Sequence, residues 1–161
     1  EATNSLVDQG IDVVTCHVDG PKVVIETAER RGIMSCGYHA NQAKLAPKGY
    51  LTGAEWNWAT VYTMFVEKMM KGEPLPNFVR GGINEGFVKT SSYGPAVSEA
   101  ARRHAEAVKA EIFKGDFAVV KGPLKDNKGR DIVPAGKAYA ETAVELESMD
   151  YLVEGVIGAT A

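Results

Sequence analysis

The sequence predicts an α/β fold, a parallel sheet with flanking helices, on three observations. A helix-ending glycine, a short apolar run and a histidine recur together, as "GIDVVTCH" from Gly10 and "GIMSCGYH" from Gly32, at an interval of 22 residues. A third run, "GYLTGAEWNW" from Gly49, carries the same punctuation and leads into a helical pattern. Helical spacing fills the interval between the first two runs, and strand, helix, strand at this length is a βαβ unit with parallel strands and a right-handed crossover.

The elements follow in chain order. "EATNSLVDQG" reads as the end of an amphipathic helix, with Leu6 and Val7 apolar and Gly10 in the C-terminal cap position. The strand of "VVTCH" comes next. Pro21 in a first turn, Val24 and Ala28 on one face and Gly32 at the stop predict a helix of about three turns. The strands ending at His39 and Trp56 then lie parallel to the first. From Trp58 to Lys71 a helix carries Val61, Phe65 and Met69 four apart, and Gly72 caps it. Residues 77–90, "NFVRGGINEGFVKT", read as strand, glycine-rich bend, strand. From Ser98 to Gly115 an amphipathic helix is expected with Ala101, Ala105, Val108 and Ile112 inside, Arg102 paired with Glu106 outside, and His104 at the boundary. Two short strands around Asn127, Lys128 and Gly129 form a hairpin, and "MDYLVEGVIG" closes the chain as a last short strand or turn-rich segment.

Composition narrows the classes of function. A chain of 161 residues fits one domain of ordinary size and can bury about two thirds of its unfolded surface. Hydrophobic residues make up 45% and charged residues 24%, and no apolar run approaches the roughly 20 residues of a membrane span. The net charge of −3 comes from interspersed acids and bases, without the basic stripe a phosphate backbone demands, so no nucleic-acid partner is expected. Cys16 and Cys36 lie outside any paired CxxC spacing and read as buried thiols. Gly81, Gly82 and Gly86 lack the order and the Lys-Ser/Thr of a phosphate loop.

Ligands of open parallel sheets bind outside the carboxyl ends of the strands, where side chains and loops converge. His17, Asp19, His39, Asn41, Glu55, Trp56 and Trp58 fall at those ends and are expected to form one rim. An indole plane there suits a flat heterocycle or a sugar face. The local alternative has Asp19 capping the following helix, the histidines bonded nearby and one tryptophan packed in the core. A chemical alternative uses His17, Asp19 and His39 as metal ligands with a fourth position open to water; against it stand the lack of an HExxH motif and of a fourth ligand in register.

Taken together, "DQGIDVVTCHVD", "ERRGIMSCGY", "APKGYLTGAEWNW", "IFKGDFAVVKGPLKDNKGRDIVPAGK" and "MDYLVEGVIG" resemble the basic membrane protein family of ABC-transporter solute-binding lipoproteins, over nearly the whole chain. "GPLKDNKG" with its "VPAGK" exit is the most specific part. The resemblance implies one lobe of a type I periplasmic binding protein plus a C-terminal β-hairpin extension, and the second half of a two-lobed protein. Residues 1–57 would be βαβ units of the second lobe, residues 58–77 a helix packed on the first lobe, and residues 78–161 the strands, helix and hairpin completing the lobes. It further implies capture of a purine nucleobase or nucleoside-like molecule, with no bond made or broken and no cofactor. The implied partners are a membrane permease and the N-terminal half of the same protein. The implied location is the periplasm or the outer face of the plasma membrane, with a lipid anchor preceding Glu1.

Residue by residue, His17 and Asp19 match an "HxD" of one branch of the family, and Trp58 falls where such proteins place an aromatic at the crossover between lobes. Many members carry an aspartate where this chain has His39 and a lysine where it has Trp56, both directed at a ribose. Their replacement favours a free base or another small planar molecule. Asn57 would serve the crossover turn. A ligand-sensing domain of a regulator is a further reading, because fold alone does not decide function.

Overall fold

The structure, a computed structural model, describes residues 1–115, 117–140 and 142–160. Its centre is a four-stranded sheet in sequence order, β1 (Val13–Thr15), β2 (Met34–His39), β3 (Tyr50–Trp56) and β4 (Val88–Thr90). The first three strands are parallel, and β4 runs antiparallel along β3. Helices α1 (Ala2–Asp8) and α2 (Pro21–Arg31) belong to the βαβ units, and α3 (Trp58–Met70) follows β3 after a single residue. The expected α/β arrangement is present.

Helix α2 starts with Pro21 in its first turn and ends at Gly32, whose φ of 73° is the left-handed cap conformation that glycine adopts without a Cβ penalty. Its inner face delivers Ile25, fully buried with Ala46 and Tyr50, to the core. Burying an isoleucine side chain contributes about 2 kcal/mol. The outer end of the helix is tied down as well, since the Glu29 carboxylate accepts the backbone N–H of Lys48 at 3.1 Å and of Gly49 at 2.8 Å, fixing the entry to β3. Arg31 reaches back to α1, donating to Asn4 Oδ1 at 2.8 Å and pairing with Asp8.

Three expectations are corrected. Residues 77–87 form bends and turns, so only β4 of the expected strand pair exists; Pro74 and Pro76 before it and Gly81-Gly82 within it deny a ladder its donors and its stiffness. Helix α4 (Glu99–Lys114) forms, with the Ser98 hydroxyl accepting the Ala101 N–H at 3.2 Å, but buries no residue: Ala105, Val108 and Ile112 are half-exposed and Ala101 is exposed. Its apolar side faces an open groove shared with Thr52, Ile83, Thr90 and Tyr93. Arg102 does not pair with Glu106; it donates to the carbonyls of Gly94 and Val97, while Glu106 accepts from the Tyr93 hydroxyl and pairs with Lys109.

The C-terminal segment carries the expected hairpin. Strands β6 (Leu124–Lys125) and β7 (Asp131–Val133) pair antiparallel, and β5 (Val120–Lys121) pairs with β8 (Ala138–Tyr139) around them. Asp126, 1% exposed, organises the turn by accepting the N–H groups of Lys128 and Arg130 and the Arg130 guanidinium. A bridge between Asp126 and Val153 docks the tail, together with Asn127, whose backbone N–H donates to the Leu152 carbonyl and whose side-chain amide donates to the carbonyls of Val156 and Gly158.

Candidate functional site

The parallel register decides which residues meet. Thr15 lies beside Cys36, and His39 beside Glu55, so the chain leaves all three strands at one edge. There His17, Tyr38, His39, Trp56, Trp58 and Tyr62 form a continuous aromatic row. The His17 ring sits 4.4 Å from Tyr38 and 5.7 Å from His39; Tyr38 is 5.6 Å from Trp56, Trp56 is 6.2 Å from Trp58, and Trp58 stacks on Tyr62 at 5.7 Å. Four of the seven expected rim residues, His17, His39, Trp56 and Trp58, are thus brought together. Both tryptophans are open to solvent, 39% and 54% exposed, and neither is packed away in the core.

His39 ends β2 with φ at 74°, a left-handed conformation uncommon for any residue but glycine. Its Nδ1 accepts the Trp56 indole N–H at 2.9 Å, and its Nε2 is covered by protein and meets no partner among the described residues.

The remaining three expected rim residues are not part of the row. Asp19 is exposed and does not cap α2, whose N-cap is Gly20 without a side-chain bond. Asn41 turns to its own chain, accepting the Ala43 N–H at 3.0 Å, the local bond that Asn readily makes two residues on. Glu55 belongs to the opposite face of the sheet, because strand side chains alternate. It is 8% exposed, accepts the Ser91 hydroxyl at 2.6 Å and pairs with Lys89 at 3.5 Å, and Ser91 in turn meets the Tyr50 hydroxyl at 3.0 Å. Asn57 serves the turn into α3, donating to Thr60 Oγ1 at 2.7 Å and to the Gly86 carbonyl at 2.8 Å. Among the described residues no three His, Cys, Asp or Glu side chains stand together as metal ligands, so His17, Asp19 and His39 do not converge as that reading required.

Beside the row opens a cavity of about 320 Å³, within the range of small-ligand sites, lined by Trp56, Trp58, Val61, Val79 and Phe87. A Cβ at Gly81 would stand 2.5 Å from the Phe87 ring, so a larger residue there would force that ring to move. Arg80 and Glu147 border it as a two-pronged ion pair, with Nη2 donating to Oε2 at 2.7 Å. The Arg80 guanidinium holds the Glu147 carboxyl below the usual carboxylate range. Apolar walls, a paired charge and an indole shelf suit binding of a small planar molecule.

Sequence reasoning missed Tyr38, Tyr62, Phe87 and the Arg80–Glu147 pair. The first three carried a readable signal, an aromatic within a few residues of a strand end. The ion pair spans 67 residues and carried none.

Residues 1–120 match the family profile Bmp, described as ABC transporter substrate-binding protein PnrA-like. A purine-binding protein of Brucella abortus (strain 2308) is 30% identical over 157 residues, which cover 97% of this chain and 43% of that protein. A Haloferax volcanii protein bearing the name ABC transporter glucose-binding protein TsgA13 is 25% identical over 158 residues, covering 98% of this chain and 37% of its own length. The chain therefore spans less than half the length of these curated relatives. A transcriptional activator of the comK gene from Bacillus halodurans shares the fold, with a TM-score of 0.64 at 21% identity over 72% of this chain and 42% of that one.

Proposed function

Because this chain belongs to the Bmp family of PnrA-like ABC transporter substrate-binding proteins, we propose that it forms the second lobe of a protein that captures a purine-like small molecule and delivers it to a membrane permease. The observation that carries this reading is the unbroken aromatic row at the carboxyl ends of three parallel strands, adjoining a cavity of about 320 Å³. A substrate-binding family is not an enzyme class, and capture needs only complementarity. Closure of two lobes would bring the second half of the pocket onto this one. On this reading the protein works outside the cytoplasmic membrane, lipid-anchored beside its permease. No helix described here is long and apolar enough to cross a membrane.

The purine assignment draws on the Brucella relative's name and on the row's flat surfaces. A free base is favoured over a nucleoside, because His39 and Trp56 hold the places of ribose-directed groups and are bonded to each other. His17 and Asp19, both exposed at the end of β1, are the polar contacts available to such a ligand. The Haloferax relative's name favours a second reading, a hexose against the same aromatic surface.

Calorimetry of the two-lobed protein against adenine, guanine, adenosine, inosine and D-glucose tests both readings. The expected result is tightest binding of a free base. Tighter binding of nucleosides would overturn the base assignment, and binding of glucose alone would overturn the purine assignment.

A further inference from the structure

The residue at the end of β2 carries two costly features at once. His39 holds a left-handed backbone conformation, φ 74°, and its Nε2 is covered without a partner among the described residues. Strain and an unpaired buried group persist only where the surrounding structure imposes them, and they concentrate at functional positions. What His39 does obtain is one bond, the Trp56 indole N–H on its Nδ1 at 2.9 Å.

We infer that His39 is a positioning residue: it fixes the Trp56 ring as a stacking wall of the adjoining cavity rather than contacting the ligand itself. The chemistry is restrictive. An indole has one donor and no acceptor, and that donor is spent on His39. An imidazole whose Nδ1 accepts carries its ring proton on Nε2, and here that N–H is covered. Neither residue therefore offers a hydrogen bond to a guest, and Trp56 contributes only the face and edge of its ring. The His39 ring also packs against Tyr38 at 4.3 Å and His17 at 5.7 Å, two rings that themselves touch at 4.4 Å, so Trp56 is anchored to a row fixed by β1 and β2. Specificity at this wall is for a flat π surface, with directional bonds supplied elsewhere. This deepens the proposed binding role and rests on it for the identity of the guest.

Two substitutions compatible with a left-handed backbone separate the role from the strain. His39→Asn keeps an acceptor at the place of Nδ1, and His39→Gly removes it. In nitrogen-15 spectra of the intact chain, the Trp56 indole N–H is expected to resonate downfield and exchange slowly in the native protein and in His39→Asn, and to lose both properties in His39→Gly. Adenine binding to the two-lobed protein should stay within about threefold of native for His39→Asn and weaken about tenfold for His39→Gly, a loss of about 1.4 kcal/mol. An unchanged Trp56 signal in His39→Gly, or unchanged adenine affinity in that variant, overturns the positioning role while leaving the binding function intact. Failure of the native protein to bind adenine overturns the assignment of the guest, and the indole signal still decides whether His39 holds Trp56.

Discussion

At the scale of single residues, side chains that look equivalent in the sequence are sorted by the pleat. Glu55 and Trp56 are neighbours at one strand end, yet one joins a buried network with Ser91 and Tyr50 while the other lines the cavity. The strand-end rule places His17, His39, Trp56 and Trp58 at one edge but not Glu55 or Asn41, because alternation and a local turn outrank position in the motif. The two cysteines give a prediction at this scale. Cys16 and Cys36, expected as buried thiols, are half-buried; that burial raises the thiol pKa of Cys16, and raises that of Cys36 against a smaller lowering from the Thr52 backbone. A raised value leaves the unreactive thiol form dominant at neutral pH, since the thiolate is the nucleophile. Both should alkylate with iodoacetamide more slowly at pH 7 than in the unfolded chain, with rates that climb only at more alkaline pH. Mass spectrometry of timed samples reads this directly.

At the scale of elements, boundaries that rest on one residue type were legible. Pro21 and Gly32 bracket α2, and Ser98 and Gly115 bracket α4, as their chemistry requires. The burial of α4 was not legible. Its apolar stripe is present, but a stripe says that a face is available and not that anything covers it. Because α4 leans little on the sheet, its cap should matter. Ser98→Ala removes the side-chain bond to the Ala101 N–H and is expected to cost about 1 kcal/mol, measurable by urea denaturation with an unchanged slope. An effect near zero would mean that α4 is held by contacts other than its own first turn.

Over the whole molecule, the βαβ order and the hairpin extension could be read from glycine, proline and apolar spacing, whereas the cavity could not. Its wall joins β3 and α3 to Arg80 and to Glu147, residues that only the completed fold makes neighbours. Helix α3 shows a comparable surplus. Tyr62, Val66, Met69 and Met70 are each more than half exposed, while Val61 turns inward to the cavity. An apolar patch of this kind marks a contact surface, and we propose that residues 58–77 pack on the first lobe of the complete protein. Val66→Glu is then expected to leave the stability of the isolated 161-residue chain within about 0.5 kcal/mol and to lower the melting temperature of the two-lobed protein by several degrees. Equal melting temperatures in the two-lobed protein would refute that packing. The aromatic row has one more consequence. The chain has two tryptophans, and both stand in it. Ultraviolet emission excited beyond the tyrosine band therefore comes entirely from the strand-tip edge, so the molecule has a built-in optical probe of that edge, with no background from the rest of the fold.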